Sequence, residues 1–403
     1  MTMCGIDIDD EAMLAQLTEH RKRLRGMKDL KVPLPPEMKS DLIEQGAELF
    51  GETRFLDMLI VAMSDKGSDE LAMYVEFVDA VIGSVQENGV AGWLFRMLWD
   101  ADLAATESLL SDGDDVDSIA DLRGYLVDVC AMAATVALQF VRSDEQATGL
   151  ALLLLGGKHD DALNLLLPQS NIALEPESLH QVSVELNRQR VARDSTGHAA
   201  ESNAVSDERL IAEPDDAVSE DDAGDRHLAL PERLYVFDAS HVIRSYRLLW
   251  QVMHESGTMP DQPDAWCDRD FAYDKLVSVA GLGLVSEPLD GSLENGDAET
   301  FQQSLEILES YVDCVRAHGL VRLPGYVITT IADTMRLDDD ASIGESFDRA
   351  STIRRVCFDM AAVMLARVPD AVFRRRLALD LVSLDIDRYF SDVDGTDGGG
   401  RSA

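Results

Sequence analysis

Apolar residues recur along this chain at the steps of a helix. Leu71, Val75, Val78, Ile82 and Val85 follow one another at steps of four and three, which puts them on one helix face. Phe301, Leu305, Leu308, Val312 and Val315 repeat the spacing, and Ile353, Val356, Met360 and Val363 form a third stripe. Start and stop signals agree with them. Ser143-x-x-Gln146, Ser178-x-x-Gln181 and Ser342-x-x-Glu345 have capping-box spacing, in which two side chains satisfy free N–H groups reciprocally. Pro324 and Pro369 suit a first helical turn, where no donor is needed, and Gly319 suits a left-handed stop after His318. Prolines at 33, 35 and 36 separate a first helix over residues 9–29 from a second starting near Glu37. Strand signals are sparse: Leu234–Phe237 and Tyr326–Ile331 are β-branched or aromatic enough for short strands. The pattern predicts a mainly α fold with roughly a dozen helices.

The periodicity fails in two places. Asp194–Glu232 holds twelve acidic residues against two arginines, with small and polar residues between them. Such a stretch buries too little apolar surface to offset its ordering entropy, so a disordered acidic linker is expected over 194–232. The tail 392–403, ending Gly-Gly-Gly-Arg-Ser-Ala, reads the same way. Two helical-bundle or helical-repeat-like domains are therefore expected, residues 1–193 and 233–391. No fixed-period repeat of the kind that builds long solenoids is visible.

Charge changes the picture more than any motif. Asp and Glu total 75 against 35 Lys and Arg, and only seven of the 35 are lysines. A net charge of −40 strains a fold by self-repulsion at ordinary ionic strength. In molar salt the Debye length falls to ~3 Å and the repulsion is screened. With acids spread along the whole chain, the composition reads as that of a cytosolic protein from a salt-accumulating halophile. The longest nearly apolar runs, Val129–Val141 and Leu150–Leu155, fall short of the ~20 residues that span a bilayer. Asp7, Asp9, Asp10 and Glu11 reverse the basic, then apolar start of a secretory signal. Neither export nor membrane contact is expected. Cysteines at 4, 130, 267, 314 and 357 are too scattered for a zinc site or a disulfide framework, and read as buried thiols.

Candidate chemistry is thin. Gly156-Gly157-Lys158 lacks both the first glycine and the hydroxyl residue of a phosphate loop. His254-Glu255 lacks a second histidine at zinc-site spacing. The acidic clusters at Asp112–Asp117 and Asp338–Asp340 fit no register of a calcium loop. Met3-Cys4-Gly5-Ile6 resembles the start of class II glutamine amidotransferases, whose nucleophile is an N-terminal cysteine. The chain departs from that family at once, with an acidic helix where the family has a β-rich domain. Gly157 through Leu163 resembles the turn and second-helix start of a tetratricopeptide repeat, without the 34-residue recurrence. No catalytic residue, cofactor or metal is expected.

Two features stand above this background. Residues 20–40 carry Arg21, Lys22, Arg23, Arg25, Lys28, Lys31 and Lys39 against Asp29 and Glu37. Residues 349–376 carry Arg349, Arg354, Arg355, Arg367, Arg374, Arg375 and Arg376 against Asp359 and Asp370. Each window is net +5, so the rest of the chain is net −50. Such islands either neutralise acidic helices of the fold or meet an acidic partner or phosphates. The second feature, Leu308–Thr330, resembles the last helix and wing of a winged-helix domain, here within 301–331, although Glu306, Glu309 and Asp313 oppose phosphate on that helix. The expected role is a non-catalytic helical adaptor or scaffold that binds another protein in a high-salt cytosol. The alternatives are a nucleic-acid-associated regulator, which is less favoured, and an enzyme assembled from dispersed residues.

Overall fold

The computed structural model describes residues 6–28, 35–63, 68–110, 116–167, 228–255, 266, 268–336 and 343–398. Among these the chain is mainly α, as its periodicity predicts. The helices before the acidic stretch are α1 (Asp10–Lys28), α2 (Pro36–Phe50), α3 (Arg54–Met63), α4 (Ser68–Leu110), α5 (Val116–Phe140), α6 (Asp144–Leu155) and α7 (His159–Leu166). After it come α8 (Leu230–His254), α9 (Arg269–Ala280), a π turn (Leu282–Ser286) and α10 (Glu287–Asn295). The chain ends with α11 (Ala298–His318), a 3-10 turn (Leu320–Arg322), α12 (Leu323–Arg336), α13 (Ile343–Arg367), α14 (Ala371–Val382) and α15 (Ile386–Gly398). β pairing among the described residues is limited to one isolated bridge, Ile8 with Val141.

Local chemistry sets the helix ends. Ser143 caps α6 by accepting from the Gln146 N–H, and Gly319 ends α11 at φ 86°. Pro369 stands one residue before Asp370, which caps α14 by accepting from the Phe373 N–H, so this proline precedes the first turn it was expected to occupy. α4 breaks at Gly89 (φ 72°, ψ 170°), and Asp10 Oδ1 accepts the Val90 N–H at 3.0 Å.

Three expectations are corrected. Leu234–Phe237 lies inside α8 and Tyr326–Ile331 inside α12, both as helix. In α12, Leu323, Val327 and Ile328 bury one face at helical spacing, and packing outweighs the weak strand preference of β-branched residues. The strand that a wing would need within 301–331 is therefore a helix. The tail expected from residue 392 begins inside α15, which runs to Gly398 because Tyr389 and Val393 bury one turn apart and Arg376 holds Asp392 at 2.5 Å. The 194–232 stretch lies outside the described residues up to 227, and its last three residues open α8, with Pro231 in the first turn and Glu232 accepting the Ala229 N–H.

Residues 1–170 and 227–403 cluster as one unit. Its centre is two helices buried nearly all round. From Val129 to Val141 almost every side chain of α5 is buried, and Val356–Leu365 of α13 is buried throughout. Leu122–Phe140 is long and apolar enough to cross a membrane by length and composition, but its apolar side chains are largely packed inside this unit. α6 and α14 lie between the two centres and pack on both sides. Cys130, Cys314 and Cys357 are buried thiols.

Candidate interaction surface

The described side chains of the basic windows face carboxylates of the same chain. On α1, Arg21 and Arg25 stand one turn apart and converge on Asp79 of α4 at 3.2 and 2.5 Å. Lys22 and Arg23 turn back to Glu19 of their own helix at 3.3 and 3.5 Å. The side chain of Lys28, and all of Lys31, lie outside the described residues. In the second window Arg354 forks onto Asp57 of α3 at 2.9 and 3.2 Å, and Arg355 pairs with Glu287. Arg374 reaches Glu145 at 2.8 Å. Arg375 bonds Asp144 at 2.6 Å and the Val141 carbonyl at 2.8 Å, so it also satisfies backbone at the end of α5. Arg376 holds Asp392. The windows thus spend their described cations on different helices, clamping α1 to α4 and the later helices to α3 and α6.

A cleft of about 790 Å³ opens where α11 ends, lined by Cys314, Ala317, His318, Arg322, Gly325, Tyr326, Thr329, Thr330 and Phe390. Gly325 lets the Phe390 ring of α15 pack against its backbone, where a side chain would overlap that ring. The chemistry of the cleft is weak. The Thr329 and Thr330 hydroxyls donate to the carbonyls of Gly325 and Tyr326. Burial pushes the Cys314 thiol up to about 11, which leaves little thiolate at neutral pH. No carboxylate lines the cleft, which leaves His318 without a lining acid to orient it.

Asp359, Asp380 and His20 are buried outside the cleft and each has an internal partner. Asp359 of α13 accepts the N–H groups of Gly283 and Leu284 at 2.8 and 2.7 Å and so caps the π turn, while burial pushes it up to about 6. A side chain at Gly281 (φ 77°) would overlap Asp359, so this crossing needs glycine. Asp380 of α14, pushed up to about 7 by burial, has Arg388 at 3.3 Å. His20 is buried between Gln45 (3.1 Å) and Tyr74 (3.2 Å), and burial lowers its pKa. Among the described residues no three His, Cys, Asp or Glu side chains converge as a metal site requires.

The outer face of α8 differs from all of these. One side of this helix buries Tyr235, Val236, Ala239, Val242, Ile243, Tyr246 and Leu249. Leu230, Leu234 and Phe237, at steps of four and three on the opposite side, are 61, 52 and 53 % exposed. His241 continues the stripe, bonding the Phe237 carbonyl through Nδ1 at 2.9 Å and stacking on Phe237 with ring centroids 4.1 Å apart. Trp266 lies against His241 at 5.0 Å, and Phe271 against Trp266 at 5.2 Å. Asp268 accepts the Phe271 N–H, caps α9 and fixes where that ring stands. Leucine, phenylalanine and tryptophan side chains thus form a continuous, partly exposed patch across α8 and the start of α9.

The sequence windows of positive charge did not point to this patch. The signal was present: Leu230, Leu234, Phe237 and His241 form a second apolar stripe on a helix whose other face is already apolar. Reading Leu234–Phe237 as a strand hid that spacing. Compared with known proteins, the chain matches no family model, no curated protein and no solved structure.

Proposed function

We propose that this protein is a non-catalytic helical adaptor or scaffold that binds another protein, in a high-salt cytosol. The observation that carries the reading is the partly exposed patch of Leu230, Leu234, Phe237, Trp266 and Phe271. Large apolar side chains grouped on one outer face leave water favourably when a partner covers them. The half-exposed aromatic rings are of the type that anchors interfaces. Two further observations support it. The described cations of both windows already face carboxylates, so fewer of them are at hand for phosphates. Cys314 and His318 both line the cleft beside α11, but burial pushes the thiol up to about 11, which leaves little thiolate for nucleophilic attack.

The test is affinity purification of the full chain from the cells that produce it, in molar potassium chloride after brief crosslinking. The expected result is one protein recovered in near-equal amount, and lost with the double variant Leu234→Asp/Phe237→Asp. Elution of the chain alone, or with nucleic acid in place of protein, would remove the adaptor reading.

A further inference from the structure

We propose that the α8 face docks an amphipathic helix of a partner protein, one with carboxylates along one flank of its apolar stripe. The inference rests on the adaptor reading and names the class of partner. Its starting point is where positive charge is left over. Arg233 and Arg244 have no carboxylate within ion-pair distance among the described residues, and Arg244 donates to the Ser240 carbonyl at 3.3 Å.

Helical geometry puts both arginines on the patch. Arg233 precedes Phe237 by four residues and Arg244 follows it by seven, so both lie on one flank of the Leu230, Leu234, Phe237 and His241 stripe. They are eleven residues apart, about 16 Å along the axis at about 1.5 Å per residue. A helix alongside would meet them with two carboxylates at a similar separation. Trp266 and Phe271 form the opposite wall, where Lys275 sits over the Phe271 ring with its Nζ 5.7 Å from the ring centroid.

Charge decides between occupants. In molar salt only charges at contact distance discriminate, and two arginines without a described carboxylate partner offer an acidic flank opposite charge at that range. A second copy is disfavoured. An antiparallel pair of α8 helices about a two-fold axis would bring the Arg233 and Arg244 flanks of both copies together as like charges. An anionic membrane is disfavoured by the net charge and by Asp268 and Asp270 beside the Phe271 wall.

The experiment places the photo-crosslinker p-benzoylphenylalanine at Phe237 of the full chain, in the producing cells, and maps the attached segment by mass spectrometry. The expected product is a segment with apolar residues at steps of three and four and carboxylates on one flank. Made as a synthetic peptide, that segment should bind the purified chain in high salt, and Arg233→Glu/Arg244→Glu should weaken binding at least tenfold. Lys substitutions in the peptide's acidic flank should restore binding to that variant, while Lys22→Glu should change nothing. A crosslink to a second copy, a lipid, nucleic acid or a segment without carboxylates overturns the proposal, as does no crosslink at all. A partner that still co-purifies with Leu234→Asp/Phe237→Asp overturns this face and leaves the adaptor reading standing. Absence of any partner in the wild type overturns both.

Discussion

The basic windows and the outer face of α8 invert what a charge count suggests. Residues 20–40 and 349–376 are each net +5, yet Arg21, Arg25, Arg354, Arg374 and Arg375 all end on carboxylates from distant positions. Arg233 and Arg244 stand among acids in the sequence, beside Glu232 and near Asp238, and neither pairs with a carboxylate among the described residues. Glu232 instead accepts the Ala229 N–H, and Asp238 pairs with Arg367 at 2.5 Å. The dense windows spend their described cations on carboxylates, while Arg233 and Arg244 are left without one among the described residues. The reason is geometric. Arginines on a helix that crosses acidic helices act as clamps, while Arg233 and Arg244 project from the side of α8 away from the core, where no described carboxylate reaches them.

Withdrawing salt should disturb the whole fold. At 0.01 M the Debye length approaches ~30 Å and the net −40 acts on itself across the molecule. The clamps gain attraction too, but they are outnumbered by unpaired acids. Helical circular dichroism is expected to fall markedly as potassium chloride is dialysed away, and to return with it. Unchanged helicity and melting temperature in dilute buffer would remove the high-salt reading.

Single substitutions grade the clamps. Arg375 is mostly buried and serves Asp144 and two carbonyls at the end of α5. Reversing it strands buried acceptors, so Arg375→Glu should cost about 3–5 kcal/mol in denaturant unfolding. Lys22→Glu and Arg23→Glu break exposed pairs with Glu19 and should cost under about 1 kcal/mol each. If the windows served nucleic acid, reversing Arg21, Lys22, Arg23 and Arg25 would abolish binding with little loss of stability. No measurable binding by the wild type is expected in molar salt.

Most of the helical content was legible in the sequence, and most of the surface was not. The stripes at Val75–Val85 and Phe301–Val315, the Ser143 cap and the Gly319 stop are local signals, and local signals survive folding. Leu234–Phe237 misled because β-branched and aromatic content is a weak prior that the apolar core beneath α8 outweighs. The pairing of Arg354 with Asp57 spans 297 positions, and no local pattern marks it. Whether an arginine is free therefore depends on contacts that become visible only in the folded chain.

The clamps also have a pH signature. Arg376 holds Asp392, whose neighbour Asp380 is pushed up to about 7, first by burial, with Arg388 opposing and Asp392 and Asp385 adding to the rise. A raised native pKa means that the folded state holds a proton the unfolded chain releases near pH ~4. Stability from this group is full below that pH and is lost as pH rises towards about 7. Asp380→Asn should therefore flatten the fall in melting temperature between pH 5 and 8 and raise it at pH 8. A fall with pH that is unchanged in the variant would place the titration elsewhere.

The mildest losses belong to the outer face of α8. Phe237 and Leu234 are about half exposed, so converting either to Asp removes little buried apolar surface and adds a charge already in water. The Arg233 and Arg244 flank should offset part of the added repulsion. Each variant should unfold within about 0.5 kcal/mol of the wild type, as surface substitutions do. Val236, one position from Phe237, is buried at 2 % exposure against the core, and Val236→Asp should lower stability by several times that amount. Equal losses at 236 and 237 would mean that the outer stripe is already covered within the full chain, leaving no open face for a partner. A large loss at 236 with none at 237 would fix α8 as a helix with two apolar faces, one holding the fold and the other open to a partner.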